Sequence, residues 1–392
     1  LRDTLGLGTT TNSIQEISGA DVIFVIGANV TESHPIIGLE IKKALRNGKT
    51  LIVADTRKVW LAKKAQTFLN LQPGTDASLV NAIISVIIKE KLHDEKYIEK
   101  RTDKFKTLNS AITKNDISKA VKLTGVSQDA IEEAARIYAN AENAIILYGN
   151  GITQHRSGND NVKSLVNLAL LTGNVGKECS GIYPLMGQNN GQGAFNMGAL
   201  PDFYTDSQPV SDINVRKKLE KIYKTKLSKN KGLQIREMFD AASKGKVKAM
   251  YVMGADPVMS EPDTTKVKKA LSKLDFLVVQ DIFMSNTAQY ADVVLPAACF
   301  AEKDGTFTNM ERRVQRIRKT VKPPGEAKAD WNIISELSTC MGSPMNYSSP
   351  EAIWEEIRKV SPNFAGINYR RLDSGGIQWP CPKADHPGTK FL

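Results

Sequence analysis

"DVIFVIGANVTESHPIIGLEIKKALRNGKTLIVADTR", residues 21–57, reads as three elements joined with little slack. DVIFVIGAN (21–29) is a continuous apolar run that ends in a glycine loop, the pattern of a strand buried on both faces. HPIIGLEIKKALRNG places Pro35 near a first helical turn and Gly48 just past a helix end, and KTLIVADTR (49–57) reads as the next buried strand. Strand, helix and strand in this order form a βαβ unit, which makes its two strands parallel.

The alternation continues outward. GTDASLVNAIISVIIKEKL (74–92) starts at a glycine turn and keeps helical spacing, and VSQDAIEEAARIYANA (126–141) is a second capped helix. The strand NAIILYGNG (143–151) and the helix GNDNVKSLVNLALLTGN (158–174) follow. The pattern then begins again with the strand VKAMYVMGADP (247–257), the helix TTKVKKALSKL and the strand DFLVVQDIF (275–283). Gly254-Ala255-Asp256 stands where the first half has Gly27-Ala28-Asn29. Gly27 precedes Asp55 by 28 positions and Gly254 precedes Asp281 by 27, so the loop and the acid at the next strand end recur together.

The expected fold is therefore α/β: two related Rossmann-like parallel-sheet domains with helices on both faces, over 1–187 and 188–392. Polar stretches at 204–232 and 302–329 read as excursions from the second domain, before DWNIISELSTCMG returns as a helix. In such sheets ligands collect where strands end and helices begin, because free N–H groups favour phosphate there and a following acid can hold a ribose. A Gly-x-Asn turn or a strand-end Asp alone is an ordinary turn or cap. Their repetition points to two nucleotide-like ligands. SGIYPLMGQNNGQGAFNMGALPD (180–202) adds five glycines and a run of carboxamides, which suit a large polar heterocycle that both donates and accepts.

Composition removes other classes. A net charge of +11 comes with lysines alternating with acids, as in KEKLHDEKYIEKRTDKFK (89–106), and with no aromatic ladder, so nucleic acid is not an expected partner. The most apolar run, LVNAIISVIIKEKL (79–92), is broken by Asn81 and Ser85 and is too short to span a membrane. Cys179, Cys299, Cys340 and Cys381 form no C-x-x-C pair, and His34, His93, His155 and His386 are dispersed, so no metal site is expected from this chain's own residues. Neither Gly loop reads G-x-G-x-x-G, which excludes a generic nicotinamide dehydrogenase.

IGANVTESHP, ADTRK, LQPGTDASLVNA, LLTGNVGK, GQNNGQGAFNMGALPD, VQDIFMSNTAQYADVVLPA and KADWNIISEL together resemble the catalytic subunit of molybdopterin-dependent formate dehydrogenases, in order and over essentially the whole chain. The resemblance implies two molybdopterin guanine dinucleotides holding molybdenum or tungsten, one per α/β domain. It places Gly27, Asn29, Glu32, Ser33, Asp55, Arg57, Gly74 and Asp76 around one dinucleotide. Gly254, Asp256, Gln280, Asp281, Thr287 and Asp330 serve the other. Gln154, Gly187 and Gln188 reach toward the pterin and the metal, with Gln188 nearest the reaction, while Asn189 and Asn190 read equally as an ordinary turn.

The same resemblance implies a small C1 substrate, formate oxidised to CO2 by two electrons, and iron–sulfur or electron-transfer subunits as partners in the cytoplasm. In the family an Arg just before GQNN binds the carboxylate substrate; here Met186 stands there, and Arg156 and His155 are the candidate substitutes. A related molybdopterin oxidoreductase with a different small substrate is thus an alternative, as is a non-catalytic scaffold subunit of a respiratory complex. The family's cysteine or selenocysteine metal ligand falls just upstream of Leu1, its [4Fe-4S] cluster further upstream and a cofactor-capping domain beyond Leu392. The chain is accordingly expected to be the central part of a larger subunit, inactive by itself.

Overall fold

The computed structural model describes residues 1–112 and 116–392. Two units account for the chain: Leu1–Gln192 with Thr308–Arg312 and Thr389–Leu392, and Gly193–Phe307 with Arg313–Gly388.

The first lobe is built on β1 (Val22–Ile26), whose five residues are all buried. β1 lies at the centre of a five-stranded sheet ordered β3-β2-β1-β4-β5, with β2 (Thr50–Ala54), β3 (Thr67–Leu69), β4 (Ala144–Tyr148) and β5 (Gly181–Pro184), all parallel. Successive side chains point to opposite faces of a strand, so an unbroken apolar run serves two cores at once. Ile23 and Val25 pack with Leu51, Val53 and Tyr183 against α1 (Pro35–Arg46). Val22, Phe24 and Ile26 pack on the opposite side against α2 (Asp76–Lys89), α3 (Gln128–Ala139) and α4 (Gly158–Leu171). Pro35 opens α1, and the Ser127 hydroxyl caps α3 by accepting from the Ala130 N–H at 3.3 Å.

Register fixes the business end of this sheet. Ile26 stands level with Ala54 on one side and Tyr148 on the other, so β1, β2 and β4 all stop on one line. The order of the strands reverses between β1 and β4, which makes that line a topological switch point.

The guanidinium of Arg312, wholly buried, closes the lobe. It donates to the carbonyls of Thr10 at 2.9 Å, Thr11 at 3.0 Å, Thr389 at 2.9 Å and Lys390 at 3.0 Å. A buried cation survives only with such a set of acceptors.

The second lobe carries a three-stranded parallel sheet, β8-β7-β6, formed by β6 (Ala249–Met253), β7 (Phe276–Asp281) and β8 (Val293–Pro296). α5 (Ile235–Ser243) and α6 (Thr264–Leu271) flank it, burying Phe239, Val252, Val267, Leu271, Leu277 and Val279. On the opposite face Tyr251, Met253, Phe276 and Val293 remain exposed. The stretch at 302–329, expected to be an excursion, contains β9 (Gly305–Thr308) and β10 (Arg313–Ile317), and β10 pairs antiparallel with β11 (Ile377–Gln378). Burial of Thr308 and Val314 explains why this charged segment orders. α7 (Asp330–Cys340) is the returning helix. The excursion at 204–232 includes a helix, Ile213–Tyr223, capped by the Asp212 carboxylate. Among the described residues no helix is long and apolar enough to cross a membrane.

Candidate functional site

Each lobe presents the same local structure at the carboxyl end of its leading strand. β1 runs into Gly27 at φ 59°, and the Gly27 N–H donates to the carbonyl of Ala54, the residue before Asp55, at 3.0 Å. β6 runs into Gly254 at φ 60°, and its N–H donates to the carbonyl of Gln280, the residue before Asp281, at 2.9 Å. One-turn helices follow both, Val30–Ser33 after Asn29 and Pro257–Ser260 after Asp256. Only glycine adopts the left-handed backbone at such a turn without strain, so the glycine and the acid belong to one device.

In the first lobe the device sits against the segment leaving β4. The Gly151 N–H donates to the Gly27 carbonyl at 3.0 Å, and a Cβ on Gly151 would stand only 2.7 Å from that oxygen. Bare backbone is obligatory at this crossing. Asn29 is half-buried, while Glu32 and Ser33 are exposed beyond it. Asp55, buried at the end of β2, accepts the Arg57 N–H at 2.8 Å and leaves the Arg57 side chain extended into solvent. Gly74, at φ 79°, turns the chain into α2, whose first residue is Asp76.

Asp76 is the most telling group of the lobe. It is 5% exposed, at the first turn of α2. Burial pushes its carboxyl pKa up, a bond from its own backbone N–H and the His155 ring oppose the rise, and Asp55 adds to it. Asp55 and His155 therefore both lie within electrostatic reach of Asp76 at the switch point. Gln154 and Arg156 are exposed on the same connection.

The GQNN segment leaves the end of β5. The Met186 side chain is half-buried and packs against the core between sheet and α1. Its carbonyl lies 2.8 Å from His34 Nε2. Asn190 turns inward, its Oδ1 accepting the Thr308 N–H at 2.9 Å. Gly187, Gln188 and Asn189 are exposed between these two anchors. Of the pair read as an ordinary turn, Asn190 is thus an anchor and Asn189 faces solvent.

The second lobe spends more of its polar atoms internally. The Asp256 carboxylate accepts from the N–H groups of Asn286 at 3.1 Å and Thr287 at 3.0 Å, and from the Thr287 hydroxyl at 2.6 Å. Burial alone would raise its pKa, but the Thr287 and Asn286 bonds outweigh burial and hold the carboxyl below its ordinary value. Thr287 and Gln280 are fully buried. Gln280 donates to Asp330 at 2.7 Å and accepts from the Tyr251 hydroxyl, and Asp330 in turn pairs with Lys303. Asp281 caps the neighbouring Ile282 N–H at 2.7 Å and is half-exposed. Asp256, Thr287, Gln280 and Asp330 thus brace the loop and Asp281 is the group it presents. Sequence reasoning missed His34, Lys303 and Tyr251; the only local signal was the position of His34 between Ser33 and the helix-opening Pro35.

These surroundings fit dinucleotides. Backbone at the glycine loops admits close approach, strand-end acids match ribose hydroxyls, and the buried Asp76 carboxyl matches a heterocycle edge bearing N–H groups. Among the described residues no cluster of three or more His, Cys, Asp or Glu could hold a metal ion.

Comparison with known proteins shows the family. Residues 4–340 match the family model described as Molybdopterin oxidoreductase. The F420-dependent formate dehydrogenase subunit alpha of Methanocaldococcus jannaschii is 51% identical over 389 residues, which is 99% of this chain and 57% of that protein. Formate dehydrogenase H of Escherichia coli is 42% identical over 397 residues, 100% of this chain and 55% of that one. The chain thus spans a little over half the length of these relatives. Among solved structures, acetylene hydratase from Pelobacter acetylenicus superposes with a TM-score of 0.75 at 23% identity, over 95% of this chain and 53% of that one, a likeness of fold. The family model matches residues 4–340 and these formate dehydrogenase relatives are 42–51% identical over nearly the whole chain, and the chain belongs to the molybdopterin oxidoreductase family.

Proposed function

We propose that the two lobes each hold one pterin guanine dinucleotide of a molybdenum or tungsten cofactor, and that the full-length protein is a formate dehydrogenase catalytic subunit. The duplicated strand–glycine–helix–strand–acid device carries this reading, because two equivalent devices in one chain call for two equivalent ligands. The names of the relatives support formate as the substrate. When bound, the metal–pterin group would supply the two-electron redox chemistry.

The chain's own residues bind and orient. Asn29, Glu32, Ser33, Asp55, Arg57 and the Gly74–Asp76 turn would hold the first guanosine, with Asp76 facing the N–H edge of the guanine. Asp281, on the loop braced by Asp256, Thr287, Gln280 and Asp330, would hold the second. Gly187 and Gln188, with Gln154, would line the pterin side, and Gln188 would stand nearest the substrate. Electrons would leave through an iron–sulfur cluster and partner subunits. A cytoplasmic site of action accords with this scheme.

Quantifying guanine nucleotide and metal in the anaerobically purified full-length subunit tests the reading. Two guanine nucleotides and one molybdenum or tungsten per polypeptide are expected, falling to one nucleotide or fewer in Asp55→Ala or Asp281→Ala. Absence of guanine nucleotide and of both metals from the wild type would refute it and favour a scaffold role.

Met186 supports a second reading, a different small substrate, because a thioether packed on the core offers no charge to a carboxylate. Formate-dependent dye reduction measured beside a panel of small oxyanions and aldehydes separates the two.

A further inference from the structure

His34 joins two stretches of the first lobe that lie 152 residues apart in sequence. Its backbone is fixed on both sides: the His34 N–H donates to the Val30 carbonyl at 2.9 Å, and the His34 carbonyl accepts the Gly38 N–H at 2.9 Å. Pro35 follows at once and starts α1. The imidazole is therefore carried on an ordered support, half-buried between the two loops.

Nε2 lies 2.8 Å from the Met186 carbonyl and Nδ1 lies 2.8 Å from the Ser33 hydroxyl oxygen. A carbonyl can only accept, so the proton must sit on Nε2. The Ser33 oxygen is also 3.0 Å from the Asn29 carbonyl. With Nδ1 unprotonated, the single Ser33 proton serves either Nδ1 or the Asn29 carbonyl, and Ser33 and His34 together bring the glycine loop after β1 within hydrogen-bond reach of the backbone of the GQNN segment after β5. At the segment's far end Asn190 is tied to Thr308. Between these anchors the Gln188 carbonyl accepts the Gly191 N–H at 3.1 Å, while the Gln188 side chain is exposed and has no hydrogen-bond partner among the described residues.

We propose that His34 is a positioning residue: its Nε2–H bond to the Met186 carbonyl fixes where the Gly187 and Gln188 backbone stands and links the order of that turn to the 29–33 loop. The proposal rests on reading both loops as ligand-facing. A turn anchored at both ends, with a free carboxamide between, is preorganised to meet a ligand and loses little freedom on binding.

The test uses the full-length subunit freed of cofactor, with His34→Leu, which removes the donor, and His34→Gln, which keeps an amide N–H in its place. Amide hydrogen exchange at 187–191 is expected to quicken about fivefold in His34→Leu, the loss of one ordinary hydrogen bond, and to stay near wild type in His34→Gln. Exchange in β1 is the folding control and should not change. Unchanged exchange at 187–191 in His34→Leu overturns the proposal, as does equal acceleration in both variants with β1 intact. Nitrogen-15 spectra of the wild-type imidazole give a readout that needs no variant to fold. An Nε2–H tautomer is expected, and an Nδ1–H tautomer overturns the proposal. Guanine nucleotide content of the wild type is measured in parallel. If it is absent while the exchange result holds, the ligand assignment fails and the latch stands.

Discussion

The two sheets begin alike and end in different surroundings. Counting back from the glycines, Ile26 and Met253 occupy the same place on equivalent strands, yet Ile26 is fully buried and Met253 is 50% exposed. Phe24 and Tyr251 differ in the same way, at 1% and 39% exposed. The first sheet has two further strands beyond its leading strand and a helical layer over each face; the second has β6 at its edge and one open face. An identical loop can therefore be built on a half-sheet. Strand pairing on one side and a single apolar layer suffice to set Gly254 at the same φ as Gly27.

The largest effect should come from truncating the paired strand residues. Ile26→Ala is expected to lower unfolding free energy by about 2–5 kcal/mol. Met253→Ala should change it by less than about 0.5 kcal/mol, as surface substitutions do. Chemical denaturation of both variants checks this, and a comparable loss at Met253 would break the comparison, since the second face would then have to be covered.

The glycines give the next effect. Alanine at either position meets the left-handed backbone penalty of about 1–2 kcal/mol. At Gly27 the new Cβ also lies 3.0 Å from the Gly151 backbone, whereas at Gly254 nothing lies within 4 Å. Backbone cannot rotate away as a side chain can, so Gly27→Ala should cost about 1–3 kcal/mol more than Gly254→Ala. Calorimetric melting of the two variants measures the difference, and equal melting temperatures would mean the crossing at Gly151 yields.

The smallest and most discriminating effect is in pH dependence. Asp76 has a raised pKa in the folded chain, so its contribution is fully present below the unfolded carboxyl value of about 3.9 and is lost as pH rises through the folded value. Asp76→Asn should therefore raise the melting temperature at neutral pH, with the gain fading in acid. Asp256 has a lowered pKa, so it adds stability above the unfolded value and loses it as pH falls through the folded one. Asp256→Asn should lower the melting temperature at neutral pH, with the deficit shrinking in acid. Melting curves across this range should show opposite signs for the two acids; the same sign would end the idea that Asp76 is kept for a ligand while Asp256 braces a loop.

Much of this was legible in the sequence, because local periodicity and turn chemistry write themselves into neighbouring residues. DVIFVIGAN and VKAMYVMGADP gave strands and loops, and the spacing of Asp55 and Asp281 paired them. The open face of β6 was not legible, since MYVM and IFVI are similarly apolar and burial depends on whether a distant segment arrives to cover them. β5 was hidden in the glycine-rich stretch, where Ile182 and Tyr183 alone signal a strand. His34 and Arg312 escaped for the same reason: the Met186 partner of His34 is 152 residues away, those of Arg312 are 77 to 302 residues away, and no spacing rule reaches that far.

The Arg312 clasp bears on how the protein comes into being. As the ribosome threads out the chain, β1 to β5 can assemble early, but residues 9–12 must wait for 308–312 and then for 389–392 before the guanidinium can be enclosed. The lobe begun first is thus completed only after the second has been made, and a nascent chain stalled before residue 390 would display an unfinished seam to the cell's quality-control machinery.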